Sequence, residues 1–97
     1  MTIDKELKDG KLTLKVDGRL DTNTSPELEA ALKLDGVKEI VFDFAGLEYI
    51  SSAGLRILLT AQKAMMASGG TMTVASPNDS VKGVFEITGC SDIFTII

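Results

Sequence analysis

The most regular pattern in the chain is in KLTLKVDGRL, where Leu12, Leu14 and Val16 alternate with Lys11, Thr13 and Lys15. That is the period of a strand with one buried face. The preceding TIDKELK alternates less clearly. The Asp9-Gly10 pair between the two segments suits a two-residue hairpin turn, because both residues tolerate positive φ, so the chain is expected to open with a β-hairpin. In TNTSPELEAALKLDG the period becomes helical. Thr24 or Ser25 can cap, Pro26 fits the first turn, Glu27 and Glu29 complement the positive helix end, and Leu28, Ala31 and Leu32 form a short apolar stripe that Gly36 is placed to end.

KEIVFDF is a nearly continuous apolar run, which predicts a central strand covered on both faces. A loop through Tyr49, Ile50, Ser51 and Ser52 then leads into a helical pattern, with Leu55, Leu58, Leu59 and Gln62 at i, i+3, i+4 and i+7. Good helix formers continue to Ala67, and Ser68-Gly69-Gly70 stops them. TMTVAS alternates again. Pro77-Asn78-Asp79-Ser80 supplies a turn and cap for a helix bearing Val81, Val84, Phe85 and Thr88, which Gly89 ends, and IFTII closes the chain as a short strand or packed tail.

The predicted order, β-β-α-β-α-β-α-β, implies one α/β domain over residues 1–97: a mixed, mostly parallel sheet opened by a hairpin, with helices packed on it. In such sheets, loops at the carboxyl ends of parallel strands gather on one edge, where ligands bind. If KLTLKV and KEIVFDF are parallel neighbours, the loop Asp21-Thr22-Asn23 meets the loop Tyr49-Ile50-Ser51-Ser52 there.

Charge and composition narrow what that edge can do. The 97 residues carry a formal net charge of −4 with scattered basic residues, which argues against nucleic acid and against an anionic membrane surface, since both need clustered cations. Cys90 is the only cysteine and there is no histidine. An internal disulfide, an ordinary zinc site and an imidazole base are thereby removed, and no metal or cofactor is expected. Met65, Met66 and Cys90 are expected to pack against the sheet. The N-terminus lacks a signal pattern and no apolar run approaches the ~20 residues of a spanning helix, so a cytoplasmic protein without membrane insertion is expected.

Ser51 and Ser52 stand where a helix begins, where a serine oxygen commonly accepts a first-turn N–H. A phosphorylated serine also fits there, because free N–H groups and the positive dipole end favour its charge. A serine nucleophile would need a base within reach, and neither G-x-S-x-G nor S-x-x-K surrounds the pair. No phosphate-cradling G-x-x-x-x-G-K-[ST] motif is present either, so the chain is not expected to be an enzyme, and ATP, if used, belongs to a partner. Arg56 reads as a solvated charge, and Gly54, lacking Cβ, keeps the approach to the turn open. Asp21 suits an Asx turn with Asn23 or, beside Ser52, a recognition carboxylate.

The segments VDGRLDTNTSPEL, IVFDFAGLEYISSAGLRILL and VASPNDSVKGVFEITG together resemble the STAS family, and within it the bacterial anti-sigma factor antagonists, over nearly the whole chain. The resemblance implies that Ser52 is phosphorylated by an anti-sigma factor with serine kinase activity. It also implies that the unmodified protein binds that factor and releases the sigma factor, and that a PP2C-type phosphatase restores the unmodified form. Ser51 stands where the family commonly has an acid, and is the alternative acceptor; Ala53 also departs from the common pattern. Asp21 matches the family's loop aspartate, and the implied partner-binding set is Asp21, Thr22, Asn23, Ser51, Ala53, Gly54, Leu55 and Arg56. The alternative is a STAS interaction module that is never phosphorylated and serves a sensor or lipid-transport assembly.

Overall fold

The computed structural model describes residues 1–97. Strand β1 (Thr2–Lys8) turns through Asp9 (φ 52°) and Gly10 (φ 81°) into β2 (Lys11–Leu20). Both turn residues thus take the positive φ that a two-residue hairpin with right-twisted strands requires. The two strands are antiparallel from Thr2 opposite Asp17 to Lys8 opposite Lys11. After helix α1 (Ser25–Ala31) come β3 (Glu39–Asp43), β4 (Leu47–Ile50), α2 (Ser52–Ser68), β5 (Thr71–Ala75), α3 (Asp79–Thr88), a single 3-10 turn at Cys90–Asp92 and β6 (Thr95–Ile96). The main sheet runs β1-β2-β3-β5-β6, and every pairing after the hairpin is parallel. The parallel pairing of β2 with β3 is the one expected from their apolar patterns.

Register aligns the core in rows: Leu12 beside Ile40 and Met72, and Leu14 beside Phe42 and Val74. All six are buried, in one cluster that also takes Leu28 of α1, Leu55, Leu58, Ala61 and Met65 of α2, and Val81 and Phe85 of α3. The helices therefore share one face of the sheet. On the other face Thr13, Val41 and Thr73 remain half-exposed, so the expectation that KEIVFDF is covered on both sides is not met. The run looks continuous only because Val41, on the open face, is also apolar.

Two other expectations need correction. Helix α1 ends before Gly36: Leu32 (φ −87°, ψ 75°) leaves helical geometry, and the chain turns so that Val37 enters the core and the Lys38 N–H donates to the Gly10 carbonyl at 2.7 Å. Met65 and Cys90 are buried as expected, but Met66 is 70% exposed, one helical step off the buried stripe. At the C-terminus, β6 extends the sheet and Phe94 is buried edge-to-face on Phe85 (centroids 5.3 Å apart), while Ile93 and Ile97 stay largely exposed.

The fourth correction bears on the site. Tyr49 and Ile50 lie in a strand, β4, and not in a loop. It pairs parallel with the far end of β2: Gly18 faces Leu47, Arg19 faces Tyr49 and Leu20 faces Ile50. Glu48 is the extra residue of a β-bulge in this pairing, and bulges of this kind locally re-aim a strand. Two glycines permit the close approach: Gly18 has φ +102°, and a Cβ on Gly46 would fall 1.8 Å from an Asp17 carboxylate oxygen. The Gly18 N–H donates to the Gly46 carbonyl at 2.9 Å.

Candidate functional site

The end of β2 and the end of β4 deliver two polar loops to one edge. The backbone N–H of Ser51 donates to the Leu20 carbonyl at 2.9 Å, which continues the β2–β4 ladder by one bond and sets the residue before α2 against the residue before Asp21. The loops meet as the parallel sheet predicts, through β4 and not directly from β3.

Asp21 organises the first loop. Its Oδ1 accepts from the Asn23 N–H (3.0 Å) and the Thr24 N–H (3.1 Å), the expected Asx turn extended by one residue. Thr24 stands at the helix boundary but makes no side-chain cap bond to α1. Its hydroxyl accepts from the Asp21 N–H (2.9 Å) and shares its one proton between the Arg19 carbonyl (2.8 Å) and, at longer range, Asp21 Oδ1 (3.2 Å). Ser25, expected as an alternative cap, lies inside α1, is buried, and donates its hydroxyl to the Asp21 carbonyl. The Thr24 N–H is the main cause holding the Asp21 carboxyl below the ordinary value of 3.8; the Asn23 N–H, the Thr24 hydroxyl and the nearby Arg19 charge add to it, against partial desolvation. A carboxylate that accepts backbone N–H bonds is stabilised in its charged form.

The two serines at the start of α2 differ in what their hydroxyls do. Ser51 is the N-cap, in extended geometry (φ −97°, ψ 174°), and its Oγ accepts from the Gly54 N–H at 3.3 Å. Ser52 is the first residue of the helix; its side chain is exposed and is free to point outward at the positive end of a 17-residue helix. Arg56, one turn further on, is also exposed.

The other predicted site residues divide by burial. Thr22 and Asn23 are exposed, and Ala53 is half-exposed. Gly54 and Leu55 face inward. A Cβ on Gly54 would lie 2.6 Å from Leu20 Cγ and 3.1 Å from Ile50 Cγ1, so this glycine lets α2 press on the strand ends that carry the two loops; its role is packing and not an open approach to the turn. Leu55 likewise shapes the site from beneath.

Sequence reasoning missed two contacts here. Arg19 stacks its guanidinium over Tyr49, 4.4 Å from the ring centroid, on the open face of the β2–β4 pair; recognising that pair requires the β4 register. Asn78 caps α3 through its Oδ1, which accepts from the Val81 N–H at 2.8 Å, and also donates from Nδ2 to the Leu47 carbonyl at 3.1 Å. Only the cap was visible in the sequence. The largest concavity, lined by Glu6, Lys8, Asp9, Lys11, Thr13 and Glu39, lies at the opposite end of the sheet, is open and charged, and shares no residue with the paired loops.

A family model described as the STAS domain matches residues 2–97. The chain belongs to the STAS domain family. BtrV of Bordetella bronchiseptica, which carries the name of an anti-sigma factor antagonist, is 34% identical over 99 residues, 99% of this chain and 84% of that protein. The anti-sigma-B factor antagonist of Staphylococcus aureus is 29% identical, covering 99% of this chain and 92% of its own. The anti-sigma factor antagonist SpoIIAA in its unphosphorylated form superposes with a TM-score of 0.86 at 19% identity, over 99% of this STAS domain and 88% of SpoIIAA. The phosphorylated Bacillus SpoIIAA gives a TM-score of 0.78 at the same identity, over 99% and 91%. The likeness to SpoIIAA shows the fold. No helix of this STAS domain is long and apolar enough to cross a membrane.

Proposed function

We propose that this STAS domain is an anti-sigma factor antagonist that works by partner switching. Its unphosphorylated form binds an anti-sigma factor with serine kinase activity and so releases the sigma factor. Phosphorylation of Ser52 ends that binding, and a PP2C-type phosphatase reverses it. The observation that carries the reading is the division of labour at the helix start: Ser51 spends its hydroxyl on the cap, while Ser52 offers an exposed hydroxyl on the edge shared with the Asp21 loop. The named role of the two curated relatives, and the existence of SpoIIAA in both phosphorylation states, support it.

The physics of the switch is local. A phosphate on Ser52 adds about −1.5 to −2 charges at neutral pH. In the free protein the positive end of α2 favours this charge by roughly 0.3–1 kcal/mol. In a closed interface the same charge sits near the ionised Asp21 loop, where repulsion and desolvation oppose it. The complex therefore loses stability while the free fold does not. Incubation with the cognate kinase and ATP, followed by mass spectrometry on wild type, Ser51→Ala and Ser52→Ala in parallel, tests the assignment. Phosphate is expected on wild type and Ser51→Ala only; modification that survives Ser52→Ala moves the acceptor to Ser51 or elsewhere, and an unmodified wild type removes the switch.

A further inference from the structure

We infer that Asn78, some 26 residues beyond Ser52 in the chain, is a positioning residue for the phosphoacceptor turn, an inference that rests on the partner-switching reading of Ser52. Strand β4 has one neighbouring strand, β2, and carries a bulge at Glu48. A bulge disturbs the ladder and leaves backbone groups without strand partners. On the outer side of this bulge the Asn78 Nδ2 donates to the Leu47 carbonyl at 3.1 Å, with a second, longer contact to the Glu48 carbonyl at 3.4 Å. The side chain thus replaces the missing strand at the point where β4 is weakest. Two residues beyond Glu48 the chain reaches Ile50 and then Ser51, whose N–H closes the ladder on Leu20.

The same side chain is fixed from behind. Its Oδ1 accepts from the Val81 N–H at 2.8 Å and so caps α3; a carboxamide offers an acceptor on one side and two donors on the other, and Asn78 uses both. α3 is anchored in the core through Val81 and Phe85. A rigid helix therefore holds the bulged strand, and the strand sets where Ser51 and Ser52 sit relative to Asp21. A serine or an aspartate would cap α3 equally well; neither can donate an amide N–H to Leu47.

Amide hydrogen exchange on the full chain, read residue by residue by NMR, tests the inference without any partner. Asn78→Asp and Asn78→Ser both keep a capping oxygen and remove Nδ2. In each, exchange of the Ser51 amide is expected to speed up by about three- to tenfold, as the loss of one hydrogen bond of ordinary net strength implies, while the β3 amides and the Val81 amide keep their wild-type rates. Aspartate also places a negative charge near Glu48, so the serine variant carries the decision if the two disagree. A change below about twofold at Ser51, or an equal acceleration throughout the sheet, overturns the inference. Failure of wild-type Ser52 to take phosphate would instead defeat the switch reading, and it is scored in a separate assay.

Discussion

Ser51 donates its backbone N–H to the Leu20 carbonyl at 2.9 Å while its hydroxyl caps α2. One residue therefore does two positional jobs: it locks the helix start to the Asp21 loop, and it leaves the neighbouring Ser52 hydroxyl with no structural duty. Two adjacent serines with separate roles are what allow a modification here without loss of the cap.

That division predicts unequal stability effects. Ser51→Ala should lower unfolding free energy by about 0.5–1 kcal/mol, the lower part of the range for N-cap loss, because its 3.3 Å bond is long. Ser52→Ala should leave the unfolding free energy, read from urea denaturation, within about 0.5 kcal/mol of wild type, as for an exposed site without partners. Equal losses in the two variants would contradict separate roles.

Gly54→Ala should destabilise the fold by about 1–3 kcal/mol, the usual penalty for inserting a methyl group into a packed site. The added Cβ meets Leu20 Cγ, a branch point that cannot swing aside as a chain end would. Urea denaturation measures the loss, and shifted amide resonances at Leu20 and Ile50 should report the displaced strand ends.

Asp21 should titrate below the ordinary 3.8, because the Thr24 N–H and then the Asn23 N–H favour its charged form. A carboxyl whose folded pKa is depressed stabilises the fold above its unfolded pKa, and that contribution is lost as pH falls through the folded value. The carboxyl resonance of Asp21 and the amide shifts of Asn23 and Thr24 should therefore move together, at a pH below the ordinary carboxyl value of 3.8. Asp21→Asn should abolish the coupled movement while retaining an acceptor for the turn.

The Arg19–Tyr49 stack should show a coupling of about 0.5–1 kcal/mol in a double-mutant cycle with Arg19→Ala and Tyr49→Ala, the range for an exposed cation–π pair. Zero coupling would mean that the 4.4 Å approach contributes no stability to the β2–β4 pairing.

Short-range chemistry was sufficient for much of the fold. The alternation of Leu12, Leu14 and Val16 set the inward face of β2, Asp9-Gly10 set the hairpin, and Gly69 and Gly89, both left-handed, ended α2 and α3 where expected. Each is a decision made within a few residues, where φ preference or side-chain period is nearly sufficient. The presence of a serine pair at a helix start was legible for the same reason.

The tertiary structure alone decided how that pair is used. In β4 the bulge at Glu48 places Leu47 and Ile50 inward three residues apart, which breaks the period of two by which a strand is recognised. The partner of β4 is the far end of β2, nearly thirty residues away in the chain, and its outer edge is completed by a side chain from α3. Those contacts are non-local, so no window of sequence contains them. They determine that Ser51 is bound into the ladder and cap, that Ser52 faces solvent, and that Asp21 lies beside both.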